Sequence, residues 1–463
     1  MKPFEKNPFR TILAIIRSAL SSENQDYTNG SIRKAIILIS IPMVLEMCME
    51  SVFAVVDIFF VGKIGKEAVA TVALTESVLT LLYSMAIGLS MAATAMVARR
   101  IGEKNPVEAS KSAAQALLLG IGLDLIISLI GFIFPAKILE IMGADKTVIA
   151  LGTPYTRILF GGSMVIMLLY LINGIFRGAG NAFLAMQSLW IANGVNILLC
   201  PLLIHFYGIS GAAMATTFGR GTGVIYQIYH LWKGGSIIRL IKSYFIPNGS
   251  LLKSLGQVAS TGTAQFLVGS ASWILMARII SLFGSATVAG YQVGIRILLF
   301  FLLPAWGMSN AAATLVGQNL GAKKPERAEE SVWKTAKYNS AFMALVTLFF
   351  LLFAKPIVGL INSDAEVVKI AVQALKIITL GYIFYGIGMV MMNAFNGAGD
   401  TRTPTLISLF CFWLFQIPFA YFLAIYLKMG PLGVFLAIIM AETLIAAISF
   451  ILFKRGKWKL IKI

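Results

Sequence analysis

Charged side chains are scarce in this chain: Asp, Glu, Lys and Arg make up 13% of its residues, where a soluble domain carries about a quarter. Histidine is nearly missing. His205 and His230 are the only two, which excludes a His-rich metal cluster. The three cysteines, Cys48, Cys200 and Cys411, each sit inside an apolar run. They read as small core residues, not as a disulfide framework or a metal site. There is no G-x4-G-K-[ST] sequence and no strand–helix unit to carry one, so ATP is not the energy source. No Ser-His-Asp or Cys-His set stands in a plausible position, and the loops are too short to hold a catalytic loop. The chain is not expected to be an enzyme, and no cofactor is expected beyond a coupling ion. What is abundant is apolar: 58% of the residues are hydrophobic. That composition describes an integral membrane protein with many spans, in contact with membrane lipids. The net charge of +18 does not indicate nucleic acid, because the basic residues fall in alternate loops, as the positive-inside rule requires.

One stretch combines membrane length with acidity. Ile41–Gly62 is long and apolar enough to cross a bilayer, yet it holds Glu46, Glu50 and Asp57. At about 100° per residue these positions fall within roughly 40° of one another, one acidic stripe on one helix face. A carboxylate at the bilayer centre costs a few kcal/mol, so the stripe faces protein or a wet cavity. Pro42 allows a bend near the start of the span. Two readings stand: a buried polar cluster that ties helices together, or a cation or proton site in a transport pathway.

Twelve apolar segments are expected, near 33–61, 69–97, 110–134, 149–176, 183–205, 209–232, 250–281, 285–316, 329–354, 365–395, 403–427 and 431–454. Most of the 38 Lys and Arg lie in the N-terminal tail, the even-numbered loops (position 177 included) and the tail after 454. Both termini are therefore expected in the cytoplasm of a bacterial-type cell, with the spans in its inner membrane. Residues 1–30 show no secretory signal, and 1–32 reads as a cytoplasmic tail; Phe9, Ile12, Leu13, Ile16 and Leu20 recur at helical spacing, as in an amphipathic helix on the cytoplasmic leaflet or a frayed tail. The basic stretch 233–249, with its Gly234-Gly235 and Pro247-Asn248-Gly249, reads as a linker. It would join an N-lobe, 33–232, to a C-lobe, 250–454, followed by a basic tail, 455–463.

The halves repeat. GLSMAATAMVARRIGEKNPVEA at 88–109 lies over GMSNAAATLVGQNLGAKKPERA at 307–328 with nine identities at an offset of 219. The same offset lays GKEAVA (65–70) over GSATVA (284–289) and FRGAGN (176–181) over FNGAGD (395–400). Six spans per repeat make the copies parallel, related by a pseudo-two-fold axis along the membrane normal with a cavity between them. Such a duplication suggests a transporter working by alternating access.

These motifs, in order, are specific: Pro42, Asp57 and Gly62 in the first span, the two G-x-K-x-P loops, the two F-x-G-A-G turns, and Gly208-Ile-Ser-Gly211-Ala-Ala-Met-Ala-Thr216. Together they make the chain resemble the multidrug and toxic compound extrusion exporters, within a larger flippase-exporter superfamily, from about residue 33 to 454. The resemblance implies an all-α membrane fold of twelve helices in two pseudo-symmetric six-helix bundles around a central V-shaped cavity. It also implies export of cationic amphipathic compounds in exchange for Na⁺ or H⁺. The family's first-span acid falls on Asp57, its fifth-span asparagine on Asn196, and its threonine after the G-x-x-G turn on Thr216. These three are the implied Na⁺ ligands. The aspartate expected four residues after Asn196 is Cys200 here, and the seventh span carries Gln257 and Gln265 where many members have a glutamate. By the repeat register Gln265 stands opposite Glu46 and Gly269 opposite Glu50. Loss of an oxygen ligand weakens a hard-cation cage, and carboxylates four apart repel, which favours a proton held on one of them. Proton coupling is therefore favoured over sodium.

Other intramembrane polar residues are candidates with blander readings beside them. Glu76 and Asp124 are acids in the second and third spans; Asp124 is expected to pair with a basic or backbone group. Glu442 is the only C-lobe acid well inside a helix and could partner a cation, with less expected of it than of Asp57. Arg220 and Arg296 could be counter-ions, though snorkelling to an interface is the stronger expectation. Asn173, Gln292, Asn310, Asn393 and Gln416 could line the cavity or serve as interhelical glue. The reading is a monomeric antiporter for cationic amphipaths. The rival is a flippase for a lipid-linked precursor, which should line its cavity with arginines.

Overall fold

The computed structural model describes residues 15–21, 26–233 and 237–463. Among them there is helix and no strand. The first half runs α1 (Ile32–Gly62), α2 (Lys66–Gly102), α3 (Pro106–Ile133), the short α4 (Pro135–Ile141), α5 (Lys146–Gly161), α6 (Ser163–Gly178), α7 (Ala182–Tyr207) and α8 (Ile209–Lys233). The second runs α9 (Gly249–Ser281), α10 (Ser285–Gly321), α11 (Pro325–Ile361), α12 (Ala365–Leu380), α13 (Tyr382–Ala398), α14 (Arg402–Tyr426) and α15 (Pro431–Lys454). Among the described residues nine helices are long and apolar enough to cross a membrane, and the pairs α5–α6 and α12–α13 add two spans bent by 41° and 57°. Helix α8, whose glycines, threonines and Arg220 dilute its apolar residues, packs beside α7 and completes twelve. The helices thus form two six-helix bundles around a central cavity. Large apolar side chains such as Leu198, Phe218, Leu345 and Leu352 stand exposed, as acyl chains require of a lipid-facing surface.

Local sequence explains where helices begin. Asn105, Asn181 and Asn248 cap their helices by accepting from the backbone N–H three residues on, the residue type and geometry that best satisfy a helix's orphan donors. Two spans expected as single runs, 149–176 and 365–395, are instead broken. Gly161-Gly162 and Gly381 lie at the breaks, where glycine tolerates the departure from helix. The first break is held from the side: Ser163 Oγ donates to the buried Asp124 Oδ1 at 2.9 Å. Asp124 therefore pairs with a hydroxyl, not with the basic or backbone group expected. Of the residues read as an amphipathic N-terminal helix, Phe9, Ile12 and Leu13 lie outside the described residues, and 15–19 is helical.

The connection after α8 is tied to α3. Gln115 Nε2 donates to the carbonyls of Tyr244 and Ile246 at 2.6 and 2.8 Å, and its Oε1 accepts from Asn248 N at 3.0 Å. One core cluster gathers residues of α1–α8 with the first turns of α9, and another gathers α9–α15. The start of α1 packs in turn against Ala311 and Leu315 of α10.

The two halves interlock where α2 meets α10. A Cβ on Gly102 would sit 2.0 Å from the Gln318 carbonyl oxygen, and one on Gly321 would sit 2.1 Å from that of Arg99. Residues 102 and 321, like 99 and 318, differ by 219, so this is one contact made twice across the pseudo-two-fold. Only glycine permits so close a backbone approach. The same end is tied by Gln318 Nε2 to the Gly178 carbonyl at 3.0 Å, Tyr27 OH to the Gly180 carbonyl at 3.0 Å, and Arg99 Nη2 to the Ile461 carbonyl at 3.0 Å.

Candidate functional site

Between the lobes lies a cavity of about 660 Å³. Its N-lobe wall is built by Glu46, Met47 and Glu50 of α1, Tyr83 and Ser90 of α2, and Tyr170, Asn173 and Arg177 of α6. Phe266 and Trp273 of α9, Trp306 and Asn310 of α10, and Asn393 and Asn396 of α13 form the opposite wall. The helical spacing of Glu46 and Glu50 brings both to the cavity, as the stripe predicts. Each meets an arginine there.

Glu46 is 1% exposed. Its Oε1 accepts from Asn173 Nδ2 at 3.1 Å and pairs with Arg177 Nη1 at 3.3 Å. Asn173 is held from behind, its Oδ1 accepting from Ser188 Oγ at 2.9 Å and Gln227 Nε2 at 2.7 Å. Arg177 also donates to Ser90 Oγ at 3.1 Å. The charge pattern places Arg177 among the loop bases; the structure puts it in the last turn of α6 on the cavity wall.

Glu50 accepts from Asn193 Nδ2 at 3.2 Å and from Tyr170 OH at 3.4 Å, and stands 3.6 Å from Arg220 Nη2. Arg220 is 4% exposed, which overturns the expectation that it snorkels. Its guanidinium carbon lies 5.6, 5.5 and 5.9 Å from the ring centres of Phe53, Tyr83 and Tyr170. Three rings and a carboxylate hold a cation there, since an aromatic face attracts a guanidinium within about 6 Å. Desolvating an ion pair is costly, and the three rings offset part of that cost for a guanidinium whose Nε and Nη1 have no hydrogen-bond partner.

Asp57, the third member of the stripe, is buried apart from the cavity wall. The Cys200 thiol points at its Oδ1 from 3.9 Å. Asn196 Nδ2 donates to Thr216 Oγ1 at 3.1 Å, leaving Asn196 Oδ1 without a partner. The structure thus brings Asp57 to Cys200 and Asn196 to Thr216 on neighbouring helices, as two separate contacts. Among the described residues no group of three His, Cys, Asp or Glu is placed to hold a metal ion.

The remaining candidates divide. Gln265 lines a C-lobe pocket, and Asn310 and Asn393 line the central cavity. Gln292 and Arg296 are exposed on α10, and Glu76 is exposed on α2, beside the cavity-lining Ser77 and Thr80. Gln416 is buried in the π-helical part of α14 and away from the cavities. Glu442 is 6% exposed, its Oε2 has no partner, and no ion pair reaches it among the described residues. Sequence reasoning missed Arg177, Tyr170 and Asn193. Arg177 had a signal, since the repeat reads F-R-G-A-G once and F-N-G-A-G once; Tyr170 and Asn193 had none.

Comparisons with known proteins agree with this geometry. The MatE family model matches residues 42–202 and again 261–422, two blocks separated by the repeat offset. The probable multidrug resistance protein NorM of Thermotoga maritima is 26% identical over 92% of this chain and 93% of its own. A FAD transporter of Shewanella oneidensis is 25% identical over 85% and 88%. A solved outward-facing multidrug resistance MATE family transporter matches with a TM-score of 0.89 and 26% identity over 94% of this chain and 97% of that one. With the family model spanning most of the chain in two copies, one per bundle, this membrane protein belongs to the MatE family of multidrug and toxic compound extrusion transporters.

Proposed function

We propose that this protein is a secondary-active exporter of cationic amphipathic small molecules, driven by protons rather than Na⁺. It works as a monomer in a bacterial inner membrane with both termini in the cytoplasm. With that orientation the interlocked α2–α10 end closes the cytoplasmic side and the cavity faces outward. The reading rests on one observation: Glu46 and Glu50 each face an arginine on the cavity wall. While both pairs are intact that wall is close to neutral. A proton on either carboxylate leaves an uncompensated guanidinium. At about 10 Å and an effective dielectric of about 20, one unit charge shifts a cation's binding by roughly 1.7 kcal/mol, more than tenfold. Outward-side protonation then expels the cation, and inward-side deprotonation restores its affinity, the differential binding that alternating access needs. Asp57 carries the ion step with them. Its hydrogen-bond contact is with the Cys200 thiol, not with the oxygens a Na⁺ cage uses.

Reconstituted vesicles test this. An imposed proton gradient should drive accumulation of ethidium, Asp57→Asn should abolish it, and a Na⁺ gradient alone should not support it. Ethidium affinity should fall as pH is lowered, and Glu50→Gln should flatten that dependence. Affinity indifferent to pH but responsive to Na⁺ would reverse the choice of ion. A second reading, an anionic substrate or a lipid-linked precursor, draws on Arg177 in the cavity wall and on the flavin dinucleotide relative. Glu46 neutralises Arg177, which weighs against it. Vesicles that take up FAD and ignore ethidium would establish that second reading instead.

A further inference from the structure

The central cavity continues into the C-lobe as a pocket of about 420 Å³ that shares Phe266, Trp273 and Trp306 with it. Glu442 lies at its far side, where a narrow cleft also places it with Trp273, Tyr382 and Tyr385. Among the residues lining this pocket Glu442 is the single charged one, and no Lys, Arg or His accompanies it. Placing a lone carboxylate there costs several kcal/mol unless something satisfies it.

The repeat shows what chemistry such a place holds. Gly208 opens α8 with φ 57° and ψ −139°, and Gly430 opens α15 with φ 61° and ψ −144°. Three residues on, Gly211 and Gly433 both pack against the backbone of the preceding helix. At this offset of 222, Arg220 corresponds to Glu442. In the N-lobe a carboxylate and three rings surround a cation that the protein itself supplies. In the C-lobe the carboxylate sits at the corresponding position on the sixth helix, three rings stand near it, and the protein supplies no cation.

From this we infer that the C-lobe pocket is an organic-cation subsite, with Glu442 as counter-ion to the charged head of the transported amphipath and Trp273, Tyr385 and Phe412 as its aromatic walls. The inference rests on the export of cations proposed above and places the substrate's head within it. A bare metal cation is a poor fit, because Na⁺ or Ca²⁺ wants several converging oxygen ligands; the cleft at Glu442 is walled by rings and aliphatic side chains, while Gln265, Ser270, Asn393 and Ser408 line the wider pocket. A weakly hydrated onium head suits it, since aromatic faces and one carboxylate are how such cations are recognised. The apolar body of the ligand would lie along Phe266, Trp306 and Met392 toward the central cavity.

The test is calorimetric titration of the purified full chain with tetraphenylphosphonium and with neutral triphenylphosphine oxide. Glu442→Gln should weaken the cation about tenfold or more, as loss of a desolvated counter-ion implies, and leave the neutral compound within about twofold. Trp273→Leu should weaken the cation by about three- to tenfold, the range of one cation–π contact. A measurement on the unaltered protein guards against misfolding of these variants. Bound tetraphenylphosphonium, but not triphenylphosphine oxide, should protect Glu442 from labelling by dicyclohexylcarbodiimide, read by peptide mass spectrometry. If the wild type binds the cation and Glu442→Gln binds it equally, or if labelling of Glu442 is undiminished, the subsite is refuted while cation export stands. If the wild type neither binds tetraphenylphosphonium nor transports ethidium, the export reading falls and the subsite with it.

Discussion

In the N-lobe, Arg220 stands 3.6 Å from Glu50 inside a ring of Phe53, Tyr83 and Tyr170. At the corresponding position of the C-lobe, Glu442 shares a cleft with Trp273, Tyr382 and Tyr385 and no basic side chain. Duplication left the backbone alike, down to the glycines that start α8 and α15, while the side chains diverged in charge. One lobe became a network in which each cavity-wall acid answers an arginine, even though Glu46 Oε2 and the Nε and Nη1 of Arg220 keep no hydrogen-bond partner. The other kept a carboxylate for something that enters. The difference teaches that internal symmetry can be kept in packing and broken in electrostatics, and that the broken part is where a substrate or ion can be told apart from solvent.

The sharpest way to break this comparison is to open that network. Arg220→Met leaves Glu50 buried without its cation, and the loss of stability should be about 3–5 kcal/mol. Adding Glu50→Gln should recover most of that loss, measured as a double-mutant cycle by thermal unfolding in detergent. Additive losses would mean that the pair is not one unit. Packing should treat the lobes alike where charge does not. Gly102→Ala and Gly321→Ala each drive a Cβ into a backbone carbonyl and should each cost about 1–3 kcal/mol, with closely matched values. A large inequality would show that the seam is not symmetric.

A smaller effect tests the ion step. Cys200→Asp sets a second carboxylate beside Asp57 and near Asn196 and Thr216. Na⁺ should then raise the variant's melting temperature by a few degrees, the scale of about 1 kcal/mol in a protein of this size, and leave the wild type unmoved. The last effect has the opposite sign and lies in the C-lobe. Glu442→Gln removes a buried charge that no side chain answers, so the unliganded protein should lose no stability and should gain about 1 kcal/mol or more. A loss as large as that of Arg220→Met would mean that Glu442 is a structural group after all.

The membrane class, the number of spans and the duplication were legible because they depend on composition and spacing along the chain. Nineteen-residue-scale apolar runs announce themselves, and a repeat at one offset needs no coordinates. Facing direction was legible too: Glu46 and Glu50 reach the cavity because four residues make about one helical turn. The bends at Gly162 and Gly381 were not legible, since a glycine in an apolar run is tolerated in a continuous helix as readily as at a break, and the neighbouring helix decides.

Pairing belonged to the tertiary structure alone. Arg177 and Arg220 lie more than a hundred residues from the acids they meet, and Asp57 parts company with Glu46 and Glu50 because α7 offers it Cys200 while α6 and α8 offer the others arginine. A sequence states how many charges a membrane protein carries and on which helix faces. Which of them cancel depends on which faces are pressed together, because in a low dielectric a few ångströms separate a neutral wall from a charged one.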